Sequence, residues 1–408
     1  MNIIYINHYA GSVEHGMEYR PYYLAREWVK LGHSVTIIAS SFSHLRQKNI
    51  DIPNGTNYLH ETIDGINYIW CKTSAYGANG IKRVFNIFEF LSRVKKLIPQ
   101  LIILKPDMVI ASSTYPFDTR VAKKIADKVG AKFVYEVHDL WPLTPMELGG
   151  MSKYHPFIWL MQRAEDFAYK HADKVVSLLP KAKNYMCEHG MGKDKFLYIP
   201  NGVVVNAWLD NQDKLPPLHI DKISEIKNNF KFLIGYAGGM GESNALEYLV
   251  KAAKNVPDVA FVLVGDGANK AQLVSQIQQE KLPNVFFLPR ISKNQVAAFL
   301  NLMDALYIGW HKLPIYRFGI CPNKLFDYML AKKPILHSVT AGNDLVAEAN
   351  CGISVPAQDI QAIIEAINKL KFISKESLKT LGENGYSYVI KHHDYTILAE
   401  SFLKGAKI

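Results

Sequence analysis

A chain of 408 residues is too long for one ordinary core, so two domains are the natural division. With 49% hydrophobic and 21% charged residues it has the composition of a folded globular protein, which excludes a disordered one. Seven of the ten net positive charges fall in residues 1–204; such a basic face suits an anionic membrane or plain solubility, and nucleic acid ranks third because no zinc finger or RNA-binding signature is present.

Cys71, Cys187, Cys321 and Cys351 stand far apart, form no CxxC pair or spaced zinc set, and fit a reducing compartment. The opening MNIIYINHYAG lacks a basic stretch before its short apolar run and reads as a buried first strand rather than a signal peptide. No stretch reaches the roughly 18 apolar residues of a membrane span.

Strands then alternate with helices. The pattern predicts a strand at 2–7, a helix at 20–31 stopped by Gly32, strands at 34–40, 107–113 and 132–139 with a helix at 118–129, and closing strands at 173–179 and 195–203. Residues 205–230, polar and carrying Pro216-Pro217, read as an irregular linker. The alternation restarts with strands at 231–239, 259–267, 284–290 and 304–310 and helices at 244–255, 269–281 and 293–303. The expectation is an α/β protein of two Rossmann-like domains with parallel sheets, residues 1–204 and 231–389, and a last helix at about 390–408 packing back on the first domain. Ligands of such sheets bind beyond the carboxyl ends of the strands, so a cleft between two facing sheets could hold a nucleotide on one side and an acceptor on the other.

Three segments of the second domain carry chemistry. Gly238, Gly239 and Gly241 crowd the first strand's end, with Asn244 three residues before Glu247 in the spacing of a capping box. A glycine turn opening a helix offers N–H groups and a dipole to a phosphate, or it is only a tight turn. Gly265, Asp266 and Gly267 follow the next strand, where backbone could approach a base or ribose, or Asp266 could cap the helix. Pro322-Asn323 reads as a helix start with Lys324 and Asp327 one turn apart. A lysine in a first helical turn opposes the dipole, which hints at an anionic ligand such as a diphosphate; an ordinary surface ion pair with Asp327 is the alternative. Arg290, closing NVFFLPR, is next in line for the phosphate role.

The motifs in order, His15-Gly16 with Leu24-Ala25 and Gly32-His33, EVHD (136–139), ADKVVSLL (172–179), IPNGV (199–203), YAGG (236–239), VGDG (264–267) and FDYMLAKKP (326–334), resemble glycosyltransferase family 4 over nearly the whole chain. The resemblance implies the GT-B fold and retaining sugar transfer from a nucleotide donor, with Gly16, Gly238, Gly239, Gly241, Gly265, Asp266, Gly267, Arg290, Asn323, Lys324 and Asp327 around the donor. His138, Lys324 and Asp327 become the catalytic candidates, His138 hydrogen-bonding the transferred sugar or being merely a satisfied strand-end histidine. Of the family's E-x7-E pair only Asp327 is acidic, Gly319 standing at the first position, and Glu242, Ser243 and Asn244 replace the usual basic residues after the turn. Lys324 is expected to take over their phosphate role. The PNKLFDYM form and the opening resemble N-acetyl-L-fucosamine transferases of bacterial O-antigen and capsule assembly, implying a UDP-sugar donor, a polyprenyl-diphosphate-linked saccharide acceptor and a cytoplasmic enzyme peripheral to the inner membrane. No D-x-D motif occurs, so no metal and no cofactor are expected. A sugar-nucleotide epimerase and a non-catalytic sugar-nucleotide-binding protein remain the alternatives.

Residues 81–98 place Ile81, Val84, Phe85, Phe88, Leu91 and Val94 at helical spacing with Lys82, Arg83, Arg93, Lys95 and Lys96. They read as an interfacial helix on an anionic membrane or as an amphipathic helix packed on the sheet.

Overall fold

The computed structural model describes residues 1–16, 19–44, 46–77, 80–210 and 213–407. They form two compact units, Met1–Asn201 with Tyr395–Ile408, and Gly202–Asp394.

The first unit is an eight-stranded sheet of β1 (Asn2–Ile6), β2 (Ser34–Ser40), β3 (Tyr58–Ile63), β4 (Ile66–Cys71), β5 (Met108–Ala111), β6 (Lys132–Val137), β7 (Lys174–Ser177) and β8 (Phe196–Tyr198). Its order is β3-β4-β2-β1-β5-β6-β7-β8, all parallel except the β3–β4 hairpin at one edge. The helices are α1 (Tyr19–Lys30), α2 (Ile81–Ile103), α3 (Thr119–Val129), α4 (Leu143–Glu147), α5 (Pro156–His171) and α6 (Lys183–Glu188). β1 is apolar at almost every position because both faces of a central parallel strand are covered. Gly32, at φ +82°, ends α1 in the left-handed conformation that glycine adopts without strain.

In the second unit β9 (Phe232–Ala237), β10 (Val259–Val264), β11 (Val285–Leu288), β12 (Ala305–Gly309), β13 (Ile335–Ser338) and β14 (Gly352–Val355) form a fully parallel sheet ordered β11-β10-β9-β12-β13-β14. Alternate residues of β9 serve different cores: Leu233 and Ala237 join one cluster, Phe232, Ile234 and Tyr236 the other. The helices are α7 (Val205–Asp210), α8 (Pro217–Asn229), α9 (Leu246–Ala253), α10 (Lys270–Glu280), α11 (Val296–Asn301), α12 (Asn323–Leu330), α13 (Leu345–Glu348), α14 (Ile360–Phe372) and α15 (Lys375–His392). The chain then returns to the first unit as α16 (Tyr395–Ala406). There the Trp28 indole N–H donates to the Ala399 carbonyl at 3.0 Å and its ring meets Phe402.

Two readings of the sequence need correction. The stretch 205–230 is not irregular: it holds α7 and α8, and Pro217 occupies the first helical position of α8, where a missing N–H costs nothing. Asn211 and Gln212 of that stretch lie outside the described residues. In 81–98 the inward face is Asn86, Ile87, Phe90, Val94, Leu97 and Ile98, whereas Ile81, Phe85 and Phe88 are exposed. That segment, the start of α2, is thus packed on one side and apolar on its outer side as well.

Candidate active site

The two sheets change direction of winding between β1 and β5, and between β9 and β12. Open α/β sheets bind ligands at such switch points, beyond the carboxyl ends of the strands. Each unit has an unusual cluster there.

In the second unit the loop after β9 runs against the loop after β10. The Gly238 N–H donates to the Val264 carbonyl at 3.0 Å and the Met240 N–H to the Asp266 carbonyl at 2.8 Å. A Cβ on Gly265 would lie 1.9 Å from the Gly238 carbonyl oxygen, and one on Gly267 would lie 2.6 Å from Met240 backbone. Both glycines have positive φ, +147° and +157°. The GDG glycines therefore allow the two loops to touch, and the Gly238 amide is committed to that contact. Gly239 and Gly241 have no backbone hydrogen bond to their amides among the described residues and are the donors left for a ligand. Asp266 turns its carboxylate back onto the Gly267 N–H at 2.9 Å rather than capping α10. Gly265→Ala is expected to cost about 3 kcal/mol in denaturant unfolding, because strain and a backbone clash fall on one residue.

Lys324 reaches this turn from the first turn of α12. Its Nζ lies 2.7 Å from the Tyr236 hydroxyl, hydrogen-bonds Asn244 Oδ1, sits 4.6 Å from the Tyr236 ring centre, and would be 3.3 Å from a Cβ on Gly238. Among the described residues it has no carboxylate partner, and burial lowers its pKa to about 8. Asn244 is thus no capping-box residue: α9 starts after Ala245, and the Asn244 side chain is taken by the ammonium. Glu247 lies 3.1 Å from His311 instead.

The i, i+3 pair of Lys324 and Asp327 is not formed. Asp327 is 6% exposed and accepts from Lys293 Nζ at 2.5 Å through Oδ2, while its Oδ1 is buried without a partner. One turn of helix sends the two charges to different neighbours. Arg290 is exposed just beyond β11, and Asn323 is exposed at the start of α12. Beside the turn a cavity of about 340 Å³ is lined by Glu242, Glu247, Asn269, Gln272, Leu273, Gln276 and His311.

Gly16 belongs to the first unit, at φ +78°, where its N–H donates to the Ser12 carbonyl at 2.9 Å and a Cβ would strike the Gln47 side chain at 2.8 Å. It shapes the loop after β1.

His138 follows directly on β6 as the outermost member of a buried network. Its Nε2 lies 3.0 Å from Glu136 Oε2 and 3.0 Å from Ser112 Oγ. Glu136 Oε2 also accepts from Ser112 Oγ at 2.7 Å and from the Tyr5 hydroxyl, and Oε1 accepts from Arg20 Nε at 2.9 Å. Arg20 in turn donates to the Ile199 carbonyl at 3.0 Å and the Pro200 carbonyl at 2.5 Å. Burial alone would raise the Glu136 pKa, but Arg20 and His138 outweigh it and hold the carboxyl below the usual range. A carboxylate facing Nε2 makes that nitrogen the protonated one in neutral His138. The neighbouring Asp139 accepts from Thr144 Oγ1 at 3.0 Å, and burial raises its pKa. Sequence reasoning took Glu136 only as a letter of EVHD. A glutamate inside the apolar run KFVYEV was itself the signal, since a buried charge needs a partner.

Two family models match the chain, Glycosyltransferase Family 4 over residues 15–206 and Glycosyl transferases group 1 over residues 231–371. Among curated relatives, the Escherichia coli protein WcaI, named as a glycosyl transferase of colanic acid biosynthesis, is 23% identical over 288 residues, 67% of this chain and 68% of that one. Of solved structures, the sucrose-phosphate synthase from Thermosynechococcus elongatus has a TM-score of 0.71 at 17% identity, over 99% of this chain and 97% of that one. The Anabaena Alr3699/HepE structure in complex with UDP and glucose has a TM-score of 0.64 at 16% identity, covering 98% of each chain. The fold is GT-B, and the two family matches between them take in most of the sequence, so the chain is a glycosyltransferase whose residues 15–206 match family 4.

Proposed function

We propose that the protein is a retaining, metal-independent glycosyltransferase of bacterial surface-polysaccharide synthesis. It moves a sugar of the N-acetylated deoxyhexosamine type, such as N-acetyl-L-fucosamine, from a UDP donor to a polyprenyl-diphosphate-linked saccharide of O-antigen or capsule assembly. The observation that carries the donor half is Lys324, half-buried beside the glycine turn with no carboxylate among the described residues to neutralise it. The HepE complex with UDP and glucose and the naming of WcaI for colanic acid support the donor class and the pathway class.

Cleavage of the donor puts negative charge on the departing diphosphate, and the Gly239 and Gly241 amides with the Lys324 ammonium are placed to stabilise it. Asp327, with one buried unpartnered oxygen, suits a ribose or sugar hydroxyl. His138 is assigned to the transferred sugar or the reacting oxygens, its ring held by Glu136. With no nucleophile assigned, retention is ascribed to attack on the same face as leaving-group departure. The absence of a D-x-D pair motivates the metal-independent reading. Transfer from UDP-sugar in excess EDTA is expected to keep nearly its full rate; loss on chelation, restored by magnesium or manganese, sinks that part. A sugar-nucleotide epimerase is the second reading, favoured by the Glu242, Glu247 and His311 side chains beside the turn. Donor isomerised without acceptor would establish it, whereas consumption that waits for a lipid-linked saccharide supports transfer.

Reaching a lipid-linked acceptor calls for peripheral binding at the cytoplasmic face of the inner membrane, because no helix among the described residues is long and apolar enough to cross a membrane. The outer side of α2 offers Ile81, Phe85 and Phe88 with exposed Lys82, Lys95 and Lys96, while Arg83 turns inward onto Tyr9. Each basic group near an anionic leaflet contributes roughly 1 kcal/mol, screened by salt. Changing Lys82, Lys95 and Lys96 to Gln is expected to release the protein from phosphatidylglycerol liposomes at low salt and to spare transfer to a short soluble acceptor. Unchanged sedimentation with the liposomes would reduce α2 to core packing.

A further inference from the structure

The first unit holds a second concentration of positive charge that the chemistry above does not use. Arg46 is 5% exposed. Its guanidinium donates to the carbonyls of Ser40 at 2.9 Å, Ser41 at 3.2 Å and Ala10 at 2.7 Å, lies 5.0 Å from the Trp70 ring centre, and keeps a buried Nε with no partner. Among the described residues no carboxylate pairs with it, and burial lowers its pKa to about 10 with no carboxylate offsetting the shift. Of the acids nearby, Glu61 accepts from the Trp70 indole at 2.7 Å, and Glu89 accepts from the Ser74 N–H at 2.7 Å. A buried charge without a counterion is expensive and is normally retained for a reason.

A second guanidinium stands close by. Arg83, half-buried in the first turn of α2, reaches the Tyr9 hydroxyl at 3.1 Å and lies over the rings of Tyr9 and Trp141 at 5.5 and 5.7 Å. Both guanidiniums act on the same two groups, His8, which they help keep neutral, and the Tyr76 hydroxyl, whose upward pKa shift from burial they oppose. His44, exposed, is 3.0 Å from that hydroxyl. The loops involved close β1 and β2, so the cluster sits at the carboxyl edge of the sheet.

We propose that these loops form a binding site for a phosphate or diphosphate group, with Arg46 supplying charge from beneath and Arg83 and His44 meeting the anion at the surface. Resting on the reading above, the occupant is the diphosphate of the lipid-linked acceptor. The site lies in the first unit and is separate in sequence and fold from the Lys324 turn.

The test saturates the protein with UDP, so that the Lys324 turn is filled, and titrates inorganic pyrophosphate by calorimetry. Wild type is expected to bind one further pyrophosphate, and Arg83→Gln and His44→Gln to bind it at least tenfold more weakly, each with unchanged UDP affinity. Arg46→Gln is measured alongside; the two surface variants decide the matter if it fails to fold. Wild-type pyrophosphate affinity in Arg83→Gln, or no binding to the UDP-saturated protein, overturns the site. Displacement of pyrophosphate by phosphatidylglycerol vesicles would make the occupant a lipid headgroup and overturn the acceptor assignment; no displacement supports it. Pyrophosphate bound as expected in a protein that transfers to no diphosphate-linked saccharide would uphold the anion site and remove the acceptor reading.

Discussion

Lys324→Met is expected to lower kcat/KM by about 10²–10³-fold while leaving the free protein as stable as wild type or more so. The loss is that of the one charge-assisted contact to the departing diphosphate that is proposed for Lys324. The stability gain has the opposite origin: burial penalises this ammonium, and nothing in the free protein repays it in full. The same depressed pKa of about 8 fixes a pH signature. An unfolded lysine titrates near 10.4, so between about 8 and 10.4 the unfolded chain binds more protons than the folded one. Wild-type stability should therefore rise with pH across that window relative to Lys324→Met. A diphosphate bound at Lys324, as proposed for UDP, selects the charged form, so UDP binding at pH 8.5 should take up a proton, visible as a dependence of the binding heat on the buffer's ionisation enthalpy. Turnover near wild type in the variant would hand the phosphate role to another group, with exposed Arg290 first.

Glu136→Leu carries the second large effect. Removing one partner of a buried ion pair leaves Arg20 charged in the core and costs about 3–5 kcal/mol. Arg20→Met with Glu136→Leu removes both charges and should recover most of that stability. It should not recover turnover, because His138 would have lost the carboxylate that fixes its tautomer and ring. The pH profile of kcat separates this from plain unfolding: a histidine released from its carboxylate shifts the profile even where the double variant melts like wild type. Full activity in a well-folded double variant would remove His138's positioning from the mechanism.

The alternation of strands and helices was legible because each central strand is covered on both faces and writes itself as a short apolar run, as in NIIYI and VAFVLV. The β3–β4 hairpin went unread although its turn was spelled out: Asp64 and Gly65 both have positive φ, at 49° and 78°, the conformation that Asp-Gly favours in a two-residue turn. Of the candidate site, the glycine turn and Lys324 were readable because a glycine cluster and a lysine in a first helical turn are each locally anomalous. The partners of Lys324 were not, since Tyr236, Asn244 and Lys324 come from three segments whose meeting depends on the β9–β12 switch. Lys293 as the partner of Asp327 was hidden for the same reason, 34 residues away in sequence.

The return of α16 to the first unit has a consequence for how the protein is made. Phe402 and the Ala399 carbonyl complete the surroundings of Trp28, yet they leave the ribosome after the whole of the second unit. For the time needed to synthesise residues 202–394, roughly 10–40 s at ordinary elongation rates, the first unit waits with the underside of α1 uncovered. The second unit, whose chain is continuous, can close in that interval, so the half translated first is the half finished last.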